Sequence, residues 1–140
     1  RNEISKIIEE ITKEYEVNIL IESDLKSSEI FNFISSFNSN KIGVLYDTGN
    51  AVRMGFKFES DFPLISKKVK EIHFKDFNIN LTKSVRLGKG NTNFKKICET
   101  LKTCNWEGNI ILETPVYDDW EKEASHNYNF SMNLINKYYL

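Results

Sequence analysis

The stretch IGVLY at residues 42–46 is a nearly continuous apolar run that stops at Asp47. Runs of this kind are typical of strands in a parallel sheet, because both faces of such a sheet are buried. Three further runs share the pattern and have the length of a strand: residues 17–21, 69–74 and 109–112. Together the four runs predict the strands of one sheet.

Segments with helical periodicity separate these runs. Apolar residues recur at spacings of three and four in residues 3–15, 30–37 and 94–101, and a last helix is predicted from about residue 118 to 138. Residues 48–59 predict a loop with one helical turn, Asp61 is predicted to cap a short helix, and residues 77–91 predict a long polar loop. The alternation of strands and helices predicts an α/β fold of four parallel βα units preceded by a helix.

Composition narrows the class of protein. The 140 residues include 19 Lys and Arg against 20 Asp and Glu, so the chain lacks the basic excess of a nucleic-acid binder. No apolar run approaches the roughly 20 residues of a membrane span. The two cysteines, Cys98 and Cys104, form no disulfide framework, which favours the reducing cytoplasm. The length suits one domain, residues 1–140.

Each predicted strand ends beside a residue that can bind a metal ion or move a proton. These residues are Glu22, Asp47, His73 and Glu113. Ligands of parallel α/β folds gather at the carboxyl ends of the strands, so the four side chains are expected to converge. Any one of them could equally begin a solvated loop, but four in four strands indicate a site. Three carboxylates and an imidazole suit a divalent cation such as Mn²⁺, Co²⁺ or Mg²⁺.

Four motifs occur in a fixed order around these residues: YDTGN at residues 46–50, IHFKD at 72–76, VRLGKG at 85–90 and WEGNIILE at 106–113. In this order they resemble the signatures of the xylose isomerase-like TIM-barrel family, and most of all its sugar phosphate isomerase and epimerase branch. The resemblance implies that residues 1–140 form a half-barrel, corresponding to strands five to eight of a (β/α)8 barrel. A complete barrel takes roughly 250 residues, and this chain begins with Arg rather than Met.

The resemblance also implies a chemistry. Glu22, Asp47, His73 and Glu113 would hold a divalent ion (Mn, Co, Mg or Zn), with Glu22 and Glu113 as the catalytic acid and base. Isomerising or epimerising a ketose removes a proton beside the carbonyl and returns one, and the ion stabilises the resulting enediolate. Two carboxylates on opposite faces can perform these transfers. The sequence does not distinguish which glutamate removes the proton and which returns it.

Three further residues are candidates for binding a sugar or sugar phosphate. Asn50 stands where many family members have His, whereas the sugar-phosphate epimerases have Asn. Lys75 and Arg86 are the nearest cations and could reach a phosphate. The alternatives are that Arg86 lies in a free loop and that Lys75 pairs with Asp76. The glycines of residues 88–90 are predicted to permit a tight turn.

The sequence is also compatible with other functions. Dehydratases use a similar site in the family. An endonuclease IV-like repair enzyme needs a histidine-rich cluster, and the chain has only His73 and His126, the latter predicted on the surface. A non-catalytic half-barrel module would expose its inner face and two sheet edges, and so predicts a homodimer or association with an N-terminal half. Cys98 is predicted in the core, and Trp120 could wall the pocket.

Overall fold

A computed structural model describes residues 3–140. The helices are α1 (Glu3–Glu14), α2 (Ser27–Ser35), α3 (Thr48–Arg53), α4 (Phe58–Asp61), α5 (Phe94–Thr103) and α6 (Trp120–Tyr138). The strands are β1 (Ile19–Glu22), β2 (Ile42–Asp47), β3 (Val69–Phe74), β4 (Asp76–Asn78), β5 (Lys83–Val85) and β6 (Asn109–Leu112). Two short 3-10 turns, Phe62–Leu64 and Ser66–Lys68, lead into β3.

Four strands form one parallel sheet in the order β1-β2-β3-β6. Its register sets Asp47 beside His73, and His73 beside Ile111. The predicted α/β fold of four parallel βα units is therefore confirmed. Because side chains alternate between the faces of a strand, Asp47 and His73 share the inner face, opposite the helices.

The outer face of the sheet packs against the helices and forms the core. Ile72 and Phe74 are fully buried there, as are Phe62, Leu101 and Cys98. Cys98 is 0% exposed, which confirms its prediction as a core residue, and this burial raises the pKa of its thiol to about 11. Aromatic rings dominate the centre of this core, where pairs of them meet edge-on or stacked.

Two predicted loops contain regular structure. Helix α3 begins directly at the end of β2 because the Asp47 side chain accepts a hydrogen bond from Asn50 N at 2.7 Å and caps it. Strands β4 and β5 pair as an antiparallel hairpin inside the predicted polar loop. Both elements are short and polar, so neither shows the apolar periodicity by which longer elements are recognised.

Two single-residue predictions were also wrong. Asp61 does not cap the turn that follows it; its carboxylate accepts hydrogen bonds from Ser27 N, Ser27 Oγ and Tyr46 Oη at 2.7–3.1 Å. His126 is half-buried rather than on the surface, with its ring stacked on Phe130 and its Nε2 atom enclosed. The partners of Asp61 lie 34 and 15 residues away in the chain, whereas His126 stacks on a residue of its own helix, α6.

The inner face of the sheet is open in the described part of the chain. Ile111, on the edge strand β6, is 45% exposed, and β1 and β6 each have one unpaired edge. Helix α1 also leaves apolar side chains in solvent, since Ile4, Ile7 and Ile11 are exposed. None of the helices in residues 3–140 combines the length and apolarity that a membrane span requires.

Candidate functional site

Three of the predicted metal ligands meet at the carboxyl edge of the sheet. Asp47, His73 and Glu113 each offer a ligand atom, and these atoms lie within 4.8 Å of one another. The sheet brings them together because β2, β3 and β6 are neighbours, and Glu113 N extends the ladder by donating to Phe74 O at 3.1 Å. A carboxylate–imidazole–carboxylate set of this kind can hold a divalent ion.

Asp47 has a different environment at each of its two oxygens. Its Oδ1 atom caps α3, whereas Oδ2 is buried, accepts no hydrogen bond within residues 3–140, and lies 3.3 Å from Lys75 Nζ. Burial raises the pKa of this carboxyl above its ordinary value, although the hydrogen bond from Asn50 opposes the shift. A buried carboxylate oxygen without a hydrogen bond, facing two other ligand residues, fits a metal ion.

Glu113 is the most connected member of the group. Its Oε2 atom lies 2.7 Å from His73 Nδ1, and its Oε1 atom pairs with the Lys75 ammonium. Burial alone would raise the pKa of Glu113, but the hydrogen bonds from Lys75 and His73 outweigh it, so the pKa lies below its ordinary value. Glu113 is thus held as a carboxylate, the form that binds a cation or accepts a proton.

Lys75 belongs to this group of charges and does not pair with Asp76. Burial disfavours the Lys75 ammonium, yet its contacts with Glu113 and Asp47 raise its pKa. A Cβ atom on Gly49 would lie 2.7 Å from Lys75 Cγ, so glycine leaves room for this side chain to reach the site. The sequence predicted Lys75 near the site, and the structure brings its ammonium into contact with two predicted ligands.

Asp76 has a purely local role. It is fully buried and accepts hydrogen bonds from Gly90 N at 2.8 Å and Thr92 N at 3.0 Å. A Cβ atom on Gly90 would lie 2.3 Å from Asp76 Oδ1, and Gly88 has a positive φ of 81°. The two glycines therefore permit the turn, as predicted, and Asp76 holds it against the sheet.

Glu22, the fourth predicted ligand, is not within the group of three. It ends β1 as an exposed side chain, and Asn50 Nδ2 donates to its Oε1 atom at 2.8 Å. Since Asn50 N also donates to Asp47, Asn50 links Glu22 to the cluster. A role for Glu22 as metal ligand or proton carrier, and for Asn50 as substrate ligand, stays a prediction.

Arg86 is fixed in place rather than lying in a free loop. Its guanidinium pairs with both carboxylate oxygens of Glu123, with Nε 2.6 Å from Oε2, and it lies 5.9 Å from the centre of the Tyr117 ring. Four residues further along α6, Asn127 Nδ2 donates to Thr114 Oγ1 at 3.0 Å. Helix α6 thus holds the segments that follow β5 and β6, and substrate contact by Arg86 stays a prediction.

The buried face of α6 is a feature that the sequence reasoning missed. Its buried residues are Glu123, Asn127 and Ser131, at a constant spacing of four. Polar residues repeat at this helical spacing in the sequence. The repeat could have indicated a helix whose buried face forms hydrogen bonds with polar loops. Trp120, considered as a pocket wall, lies exposed at the start of this helix.

Comparisons with known proteins agree with this arrangement. A family model described as "Xylose isomerase-like TIM barrel" matches residues 1–134. The chain is 24% identical over 120 residues to the uncharacterized protein MJ1311 of Methanocaldococcus jannaschii, covering 79% of this chain and 41% of that protein.

Solved structures share the fold at low identity. D-psicose 3-epimerase from Clostridium cellulolyticum H10, solved with D-tagatose, has a TM-score of 0.78 at 16% identity, over 94% of this chain and 55% of its own. The IOLI protein, solved with a zinc atom, has a TM-score of 0.77 at 16% identity, over 96% and 54%. The probable 3-DHS dehydratase AsbF from Bacillus anthracis has a TM-score of 0.74 at 13% identity, over 91% and 54%.

The chain spans about half the length of the proteins that it matches. The family match covers nearly all of its residues, and three of the four predicted motifs contain the strand ends at which the structure gathers Asp47, His73 and Glu113. This chain belongs to the xylose isomerase-like TIM-barrel family.

Proposed function

We propose that this chain carries the metal-binding half of a sugar isomerase or epimerase that acts on a ketose or ketose phosphate. The observation that carries the proposal is the cluster of Asp47, His73 and Glu113, whose ligand atoms lie within 4.8 Å of one another. The free cysteines Cys98 and Cys104 support a cytoplasmic location.

The proposed roles follow from the contacts. Asp47, His73 and Glu113 hold the divalent ion, and Glu22 completes the set. A bound ion would polarise the ketose carbonyl and stabilise the negative charge that develops on its oxygen. Glu113, held as a carboxylate, and Glu22, at the exposed rim, exchange the proton on the carbon beside that carbonyl.

The remaining polar groups bind the substrate in this proposal. Asn50 already donates to Glu22, so its amide lies within reach of a hydroxyl that approaches that carboxylate. Lys75 and Arg86 supply positive charge for sugar oxygens or a phosphate. The Arg86 guanidinium pairs with Glu123 and also lies over the Tyr117 ring. The Arg86 side chain is nevertheless partly exposed.

Isotope exchange tests the reaction. The protein, stripped of metal and reloaded with Mn²⁺, Co²⁺, Mg²⁺ or Zn²⁺, is incubated in D₂O with a panel of ketoses and ketose phosphates, and proton NMR follows the carbon beside the carbonyl. We expect deuterium incorporation and epimer formation that require the ion, because proton abstraction exposes the enediolate to solvent deuterons. The metal-stripped protein is the control.

Two results would contradict the proposal. Absence of exchange with every ketose, together with metal-dependent loss of water from a 3-dehydroshikimate-type substrate, would assign a dehydratase. Absence of both reactions in a protein that binds metal would favour a non-catalytic module. A repair endonuclease is not supported, since the cluster within residues 3–140 contains one histidine, His73.

We also propose a partner, a second half-barrel of four βα units that covers the inner face of the sheet. Two unpaired strand edges, the exposed Ile111 and the isoleucines of α1 support this, as does the double length of the matched proteins. Surface of this kind is apolar enough to drive association.

Sedimentation and dye binding test this partner. We expect the 140-residue chain alone to bind an apolar fluorescent dye, and to lose this binding when it is co-expressed with an N-terminal half-barrel of the family. A monomer that binds no dye would contradict the proposal, and a stable homodimer without dye binding would identify a second copy as the occupant instead.

A further inference from the structure

Glu71 is a charged residue on the inner face of the sheet that the proposed reaction leaves unused. It lies on β3 two residues before His73, so the two side chains share one face of the strand. The exposed fraction of the Glu71 side chain is 20% and that of His73 is 17%. A carboxylate so far withdrawn from water needs a partner.

That partner is the imidazole of His73. Glu71 Oε1 lies 3.5 Å from His73 Nε2, within ion-pair range but beyond an ordinary N–H···O hydrogen bond, whereas His73 Nδ1 lies 2.7 Å from Glu113 Oε2. The ring therefore stands between two carboxylates. Nδ1 faces the metal cluster, and Nε2 faces away from it toward Glu71.

The direction of the ring decides which nitrogen can bind an ion. A metal ion bound among Asp47, His73 and Glu113 requires a lone pair on Nδ1, so the ring proton must reside on Nε2. That N–H needs an acceptor. Ligand histidines almost always donate their second ring N–H to such a group, which fixes the tautomer and the ring orientation.

We propose that Glu71 is a positioning residue for the metal site: it accepts the Nε2–H of His73 and so presents Nδ1 to the ion. The proposal rests on the metal site of the proposed function. It also accounts for a carboxylate on the inner face, which a covering half-barrel would bury further, at a cost that only a hydrogen-bonded partner offsets.

Metal affinity of two variants tests the proposal without any substrate. Binding of Mn²⁺ and Zn²⁺ is measured by competition with a chromophoric chelator. We expect Glu71→Ala to weaken binding by about 10- to 100-fold. Glu71→Gln keeps a carbonyl acceptor for Nε2–H and is expected to retain most of the affinity. Asp24→Asn is the control, because Asp24 is an exposed carboxylate paired with Arg53 and its loss removes the same charge.

Nitrogen NMR of the imidazole gives a second readout. In the wild type and in Glu71→Gln, we expect the His73 spectrum of the Nε2–H tautomer once metal is bound. In metal-loaded Glu71→Ala, we expect a mobile ring with exchange-broadened nitrogens. If Glu71→Ala fails to fold, Glu71→Met decides, since Met has nearly the same length, removes the same single charge as Asp24→Asn and offers no oxygen to accept the N–H.

The outcomes separate the two proposals. Wild-type metal affinity together with an unchanged His73 spectrum in Glu71→Ala would overturn the role of Glu71 while leaving the metal site intact. A wild-type protein that binds neither ion would overturn the proposed function, and the role of Glu71 with it. A loss in Asp24→Asn as large as that in Glu71→Ala would also overturn the role, by showing a general effect of charge.

Discussion

Replacing Glu113 by Gln is expected to reduce turnover by about 10³-fold and to weaken metal binding strongly. The expected loss lies within the range for removing a proton-transferring side chain, and here a ligand oxygen is lost as well. Glu113 contacts His73 and Lys75 simultaneously, so the variant also removes one of the two carboxylates that pair with the Lys75 ammonium. Steady-state rates and metal affinity are measured on the same preparation.

Glu107→Gln is the matched control for this variant. Glu107 is exposed before the start of β6, whereas Glu113 lies beyond its end, so both variants change one Glu near the same strand to Gln. We expect wild-type rates and affinity in the control. Full turnover and full metal affinity in Glu113→Gln would contradict the proposed site, and lost turnover with intact affinity would confine Glu113 to proton transfer.

Replacing Phe62 by Ala is expected to lower the free energy of unfolding by about 3–5 kcal/mol. Phe62 is 0% exposed, and its ring stacks on that of Phe58 at 4.5 Å. It also meets Tyr46 and Trp106 edge-on, at 5.5 and 6.2 Å. The free energy of unfolding of a small domain is only about 5–15 kcal/mol, so the cavity left by this one substitution removes a large part of it.

Leu64→Ala provides the comparison for Phe62→Ala within the same 3-10 turn. Leu64 is 59% exposed, so its truncation is expected to change stability by about 0.5 kcal/mol or less. Urea denaturation followed by circular dichroism measures both variants. Equal losses in the two variants would contradict the described core, because only one of the side chains is enclosed by other rings.

The strands and the ends of the strands could be predicted because they depend on local patterns. The apolar runs at residues 42–46 and 69–74 identify buried strands, and parallel pairing brings their polar ends together. The convergence of Asp47, His73 and Glu113 follows from that pairing alone, and the structure confirms it. The same argument predicted that Glu22 would join the cluster. Glu22 ends an edge strand, however, and its side chain is exposed.

The contacts that the sequence did not reveal join residues far apart in the chain. Asp61 binds Ser27 and Tyr46, which lie 34 and 15 residues away, and no local pattern indicates such a partner. Glu71 and Glu123 are charged residues, for which a solvated surface is the ordinary expectation. Both are withdrawn from water by His73 and Arg86, whose positions only the tertiary fold determines.

In the proposed function Asp47 both caps α3 and binds the metal ion, and this restricts the residue types that can replace it. Asparagine would still cap α3 but would bring no negative charge to a cation. Glutamate would bring the charge but is a poor cap. Because one oxygen serves the first turn of α3 and the other faces His73 and Glu113, aspartate alone meets both demands. Under the proposed function, a substitution of Asp47 is therefore expected to lower both the stability of α3 and the affinity for the metal ion.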